Sequence, residues 1–348
     1  MIFKNQAVVL TKQKKKLSLY NLEIPKLSEG YVLVKMKYSA ICHTQLNEIN
    51  GILGKDKFLP HCIGHEGVGE IIKKGKNVKN FNIGDTVVVS WIKKKVSKKY
   101  NPIAFNSNRK KINTGGCNTL LKYTVVSDNR IFKINKKNKF LRESILLGCA
   151  LPTASNAILN VAKIKKNSKV LIMGMGGLGY SSLFVLNYLK CKDIVCIDSN
   201  SRRLKLIKNQ KNCKFVHLEG QHKLDIFIEN NFEKFDLIID CTGSKKLIEK
   251  TFSLCKKFIG KFILIGNTKI NEKISINSWD VIFGKTLTGA WGYGGTVMNN
   301  FEINQKILID QIKNIKQILP KKNYQISQIN NAINDFIRGK VLRPIIKF

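Results

Sequence analysis

Two regimes of hydrophobic patterning divide the chain. In its first third, short β-rich runs alternate with turn signals, at Gln6–Leu10, Tyr31–Tyr38, Gly67–Lys73 and Asp85–Ser90. Runs of that length and spacing predict a small barrel or sandwich. From Lys169 to about Ala290, apolar strands alternate with helical stretches, the strands falling at Lys169–Met173, Ile194–Asp198, Phe235–Ile239, Lys261–Ile265 and Thr286–Gly289. Such alternation predicts an α/β architecture with a doubly wound parallel sheet. Beyond Asn299, amphipathic helical stretches near Asn304–Ile318 and Ile326–Arg338 precede a strand-like Arg343–Phe348, a tail expected to return to the first domain. The basic segment 93–113 has no periodicity and reads as a long loop.

Composition narrows the class. At 348 residues the chain is long enough for two domains with substantial cores. It has no apolar run of membrane-spanning length, and Met1–Asn5 lacks the layout of a signal peptide, so a cytoplasmic protein without a membrane partner is expected. Nine scattered cysteines, an odd number, suggest reduced thiols rather than a disulfide framework. A formal charge of +38 invites a nucleic-acid partner. Its distribution argues for a solvated surface instead, because lysines occupy every segment and the dense runs Lys12–Lys16 and Lys93–Lys99 lack interleaved aromatics. No specific nucleic-acid partner is expected.

The first chemical signal is Gly174-Met175-Gly176-Gly177-Leu178-Gly179, which follows the strand Lys169–Met173 and opens a helix expected from Tyr180 to about Lys190. Glycines at this spacing give a tight turn, room for a pyrophosphate and close helix–strand packing. Asp198, which ends the next apolar run, is placed to accept hydrogen bonds from a ribose diol and to repel a 2′-phosphate, so NAD is expected over NADP. Helix capping by Asp198 is an alternative use of the same carboxylate. Arg203 nearby, and Thr242 in the loop after the strand ending near Asp240, are further candidate cofactor contacts.

A second signal comes from three compact motifs, Ile41-Cys42-His43-Thr44, Gly64-His65-Glu66-Gly67-Val68-Gly69 and Leu147-Gly148-Cys149-Ala150-Leu151-Pro152-Thr153. Two thiolates and one imidazole can hold zinc tetrahedrally with a fourth position free. His61 and Cys62 lie close enough in sequence to compete as ligands and are assigned a structural role. With the glycine turn following in order, the chain resembles the zinc-dependent medium-chain alcohol dehydrogenases over nearly its whole length. The resemblance implies a GroES-like catalytic domain from residues 1–150 and 292–348, and a Rossmann coenzyme domain from residues 151–291.

By motif position, the resemblance implies Cys42, His65 and Cys149 as ligands of one catalytic zinc, with Glu66 as the nearby carboxylate. Thr44 would take the alcohol proton, while His43 would contact cofactor phosphates or pass that proton on. Arg343 would clamp the pyrophosphate. The implied reaction is reversible hydride transfer between an alcohol, polyol or carbonyl substrate and NAD, by a homo-oligomer, a dimer or tetramer. Two departures stand out. Gln45 occupies the position of an acid that orients the zinc-bound histidine, where an amide oxygen can still accept the imidazole N–H. Only Cys117 lies between Ser90 and Gly148, so no structural zinc is expected. A zinc-independent quinone or enone reductase on the same scaffold, and a non-catalytic basic relative that binds nucleic acid, are the alternatives.

Overall fold

The computed structural model describes residues 5–94, 104–108, 110–135, 138–207, 210–292 and 297–348, the side chains of 297–300 excepted. The chain divides into two compact units, one of Met1–Cys149, Gly295–Ile309 and Leu319–Phe348, the other of Ala150–Gly294 and Asp310–Ile318.

The first unit is β-rich because its short apolar runs find antiparallel partners. Its main sheet runs Ile131–Lys133, Thr86–Ser90, Glu66–Lys74, Tyr31–Ala40, Ile345–Lys347 and Tyr324–Gln325, and Tyr123–Ser127 also pairs with Tyr31–Ala40. A smaller sheet joins Ser18–Leu22, Asn5–Leu10 and His61–Cys62. Two features of this unit position the site. Strand Tyr31–Ala40 runs almost directly into helix α1 (His43–Asn50), whose Leu46 and Ile49 bury themselves with Val8, Leu10, Ile41 and Leu120. Burying each of those two side chains stabilises the unit by about 1.5–3 kcal/mol. The C-terminal strand pairs antiparallel with the end of Tyr31–Ala40, Ile345 opposite Ala40, and the Ile41 N–H donates to the Pro344 carbonyl at 3.0 Å. That register delivers Arg343 to the start of α1.

In the second unit, six all-parallel strands β1 (Lys169–Met173), β2 (Asp193–Asp198), β3 (Cys213–His217), β4 (Leu237–Asp240), β5 (Lys261–Leu264) and β6 (Thr286–Gly289) follow the order β3-β2-β1-β4-β5-β6. This is the doubly wound order of a dinucleotide fold, with its switch point between β1 and β4. Central strands are almost wholly buried, as both faces of a parallel sheet require. Met173 pairs with Ile197 on one side and Asp240 on the other, so the loops after β1, β2 and β4 emerge side by side.

The α/β fold class anticipated above is the one observed. Some details differ. The expected helix Asn304–Ile318 is two helices, Val297–Asp310 and Ile312–Ile318, parted at Gln311. The Gln311 side chain is buried, donates to Asp310 and accepts from Asn187 and Asn314, polar demands that a continuous apolar stripe does not reveal. In the basic segment, Phe105–Ser107 and Lys110–Ile112 pair as a two-stranded sheet, whereas 95–103 and 109 lie outside the described residues. Among the described residues no helix is long and apolar enough to cross a membrane.

Candidate functional site

Cys42, His65 and Cys149 are brought together although their motifs are far apart in sequence. Their candidate ligand atoms all lie within 4.8 Å of one another, and among the described residues this is the group of His, Cys and acid side chains with the spacing of a metal site. Each position follows from local structure. Cys42 is the N-cap residue of α1, held in an extended conformation. His65 directly precedes strand Glu66–Lys74, paired at its far side with Thr86–Ser90. Cys149 follows a short 3₁₀ segment, Glu143–Gly148, that packs on that strand. Gly148 makes the packing possible, since a Cβ there would come within 2.8 Å of the Glu66 Cβ.

The electrostatics of the cluster suit a cation. Hydrogen bonding between the two thiols lowers Cys42 and raises Cys149, so the first sulfur is the readier thiolate. Burial by itself would lower His65, but the neighbouring Cys42 sulfur and Glu66 raise it on balance. Glu66 is fully buried and ion-paired through Oε1 with the Nη2 of Arg343. Burial raises the Glu66 carboxyl against the opposing effect of Arg343. Arg343 is held in its charged form, Glu66 and Cys42 outweighing the effect of burial.

His65 Nε2 and Glu66 Oε2 are buried and have no hydrogen-bond partner. An orphaned imidazole nitrogen beside two thiols is costly unless something else engages it. Zinc fits this donor set. At a Zn–S distance of about 2.3 Å, tetrahedral sulfurs stand roughly 3.8 Å apart, which the observed spacing accommodates. A divalent cation also cancels two thiolates, leaving the Glu66–Arg343 pair balanced and the buried site neutral.

The other expected residues of this unit fall in distinct places. The Thr44 hydroxyl lies 3.8 Å from the Cys42 sulfur, beside the cluster. His43 is exposed on the first turn of α1, its ring edge toward Phe336. Arg343 has a partner that sequence reasoning did not assign, because Glu66 lies 277 positions away and only the pairing of the C-terminal strand joins them. Any contribution of Arg343 to holding a pyrophosphate is additional to that pair. Gln45 does reach His65, its Nε2 lying 2.6 Å from Nδ1. The expectation that its oxygen would face the ring is corrected: that oxygen accepts the Cys42 N–H at 2.9 Å. His61 is occupied elsewhere, with Asp56 and the Cys62 carbonyl, as its assigned structural role requires.

In the second unit, the turn Gly174–Gly179 joins β1 to helix α2 (Gly177–Tyr188). A Cβ on Gly179 would stand 2.0 Å from the Gly174 carbonyl oxygen, so only glycine permits this approach. At Gly176, the N-cap, a Cβ would meet nothing within 4 Å, which leaves the helix N-terminus open to an anion. Leu178 lies in the first turn of α2. Asp198 is buried at the end of β2, where its carboxylate accepts the N–H groups of Met175 and Asn200, each at 2.7 Å. It therefore fastens the glycine turn to the loop after β2. The capping alternative is corrected, because Asn200 caps the following helix by accepting from the Arg202 N–H. Arg203 extends to 3.6 Å from Asp198.

Thr242 donates through N–H and hydroxyl to Asp240, and its methyl group faces Gly174. The anchoring role of buried Asp240 was not foreseen, since an acid at a strand end has many uses.

Comparison with known proteins agrees with this geometry. Residues 28–136 match the family model described as the alcohol dehydrogenase GroES-like domain. The S-(hydroxymethyl)glutathione dehydrogenase of Komagataella pastoris is 26% identical over 377 residues, covering 99% of this chain and 98% of that protein. The class-3 alcohol dehydrogenase of Caenorhabditis elegans is 25% identical, covering 99% and 96%. Among solved structures, benzyl alcohol dehydrogenase from Acinetobacter calcoaceticus superimposes with a TM-score of 0.84 at 23% identity, covering 99% of this chain and 100% of that one. A structure described as a short chain alcohol dehydrogenase from E. coli CFT073, complexed with NADH, gives 0.80 at 18% identity, covering 99% and 100%. At these identities the structural likeness establishes the fold.

Proposed function

We propose that this chain, which is similar to alcohol dehydrogenases over nearly its whole length and matches their GroES-like domain over residues 28–136, is a zinc-dependent medium-chain member of that family that reversibly transfers a hydride between an alcohol carbon and NAD. The observation that carries this reading is the convergence of Cys42, His65 and Cys149 with a buried, unpartnered His65 nitrogen among them. The three side chains would hold zinc, which when bound supplies Lewis acidity toward an alcohol or carbonyl oxygen. Thr44, 3.8 Å from the Cys42 sulfur, places its hydroxyl to accept the proton of an alcohol presented at the cluster. His43, exposed on the first turn of α1 immediately before Thr44, can hand that proton to solvent.

On the cofactor side, Gly174, Gly176, Gly177, Leu178 and Gly179 would receive the pyrophosphate on backbone N–H groups and the α2 N-terminus. Asp198 would accept the ribose diol, with Arg203 and Thr242 completing the contacts. The alcohol's identity is left to a panel that includes benzyl alcohol and S-(hydroxymethyl)glutathione, the compounds in the relatives' names. A homo-oligomer is supported by β6, an edge strand, and by exposed Trp279, Val281 and Ile282 preceding it. The cytoplasmic assignment rests on nine free cysteines.

The test is alcohol-dependent NADH formation together with zinc analysis. One zinc per chain and turnover of at least one alcohol, both lost in Cys42→Ala and His65→Ala, are expected. An active, zinc-free protein would reject the reading.

A further inference from the structure

The amide of Gln45 sits between two groups that need the same thing from it. Its Oε1 accepts the Cys42 N–H at 2.9 Å, closing a capping box at the start of α1. Its Nε2 lies 2.6 Å from Nδ1 of His65. The cap fixes this orientation, since exchanging oxygen and nitrogen would set an NH₂ group against the Cys42 N–H, two donors face to face. An amide nitrogen only donates, so Nδ1 accepts here and the proton of a neutral imidazole resides on Nε2. Nε2 is the buried ring atom without a partner.

A metal-ligating imidazole has the opposite requirement. Its Nε2 gives a lone pair to the metal, while Nδ1 carries the proton and donates it to an acceptor that fixes the ring. Gln45 has one acceptor atom, and the Cys42 N–H already occupies it. We propose that Gln45 is a positioning residue that sets metal retention against capping of α1: the amide must turn for His65 to ligate, and on turning it abandons the Cys42 N–H. A carboxylate would escape the conflict, because its two oxygens can accept from Cys42 and His65 together. The inference rests on the proposed assignment of His65 as a zinc ligand.

The experiment compares the full-length wild-type chain with Gln45→Glu, an isosteric change, by zinc retained against a graded series of chelator concentrations. Gln45→Glu should hold zinc at least about ten-fold more tightly, the lower end of what partners of metal-ligating histidines contribute. Equal or weaker retention in Gln45→Glu, with both proteins binding one zinc, overturns the inference and leaves the zinc reading intact. A rise in thermal stability without a change in retention also overturns it, since capping alone would produce that. A wild-type chain that takes up no zinc overturns both.

Should Gln45→Glu fail to fold, ¹⁵N NMR of the histidines in metal-stripped wild-type protein decides the matter. His65 Nδ1 should give a pyridine-type resonance with the proton on Nε2. A pyrrole-type Nδ1 overturns the inference.

Discussion

Arg343 is ion-paired with Glu66 inside the protein, the two side chains 4% and 0% exposed. Removing one partner of such a pair leaves an uncompensated charge where water cannot reach it. Arg343→Met should therefore destabilise the chain by about 3–5 kcal/mol, measured by denaturant unfolding of the zinc-loaded protein. Replacing both partners, as in Arg343→Met with Glu66→Gln, should recover a large part of the loss. Equal losses in the single and double variants would show that the pair is not the origin of the effect.

Lys94 gives a pH-dependent prediction away from the site. Its Nζ donates to the Asp128 carbonyl at 3.0 Å and lies 4.2 Å from the Phe81 ring centroid. Burial lowers its pKa to about 8, against a partial opposing effect of Asp128. Between about pH 8 and the ordinary lysine value near 10.5, the unfolded chain binds more protons than the folded one, so stability rises with pH across that window. Below pH 8 the burial penalty is present in full. Lys94→Met should thus stabilise the protein at pH 7, and the gain should shrink as pH rises through that window. A gain independent of pH between 7 and 10 would contradict the assignment.

Much of this architecture was legible because its signals are local. The glycine turn, the acid ending β2 and each ligand motif occupy a few consecutive residues, and hydrophobic period separated the β-rich unit from the alternating one. What escaped depends on long-range register or on a choice hidden within one side chain. Glu66 and Arg343 meet through the pairing of Ile345 with Ala40, which no local pattern encodes. Gln45 was placed beside His65 by motif position, yet an amide carries a donor and an acceptor, and the Cys42 N–H decides which of them the ring sees. Asp198 likewise binds its own turn through the Met175 N–H, a use that the spacing of glycines and acid does not disclose.

That last contact makes Asp198 doubly placed, for the turn and for the proposed ribose. Asp198→Asn would weaken the charge-assisted bonds to the Met175 and Asn200 N–H groups and relieve repulsion of a 2′-phosphate. A hydrogen bond to a charged group is worth about 1.5–3 kcal/mol, so KM for NAD should rise roughly ten-fold or more and the preference for NAD over NADP should narrow. An unchanged ratio of the two cofactors' kcat/KM would contradict the role proposed for this acid.

Gly179→Ala tests the turn itself. With the Gly174 carbonyl 2.0 Å from the new methyl group, the turn must open, and NAD affinity by fluorescence titration should fall by at least ten-fold while zinc content stays unchanged. Undiminished NAD affinity would place the cofactor elsewhere.

The central claim is that two sulfurs and one imidazole nitrogen hold a metal, and X-ray absorption at the zinc edge of the purified protein tests it most directly. The account predicts one zinc with two sulfur neighbours at about 2.3 Å and lighter donors at about 2.0–2.1 Å, with one sulfur lost in Cys149→Ser. A zinc shell without sulfur, or an unchanged shell in Cys149→Ser, would contradict it.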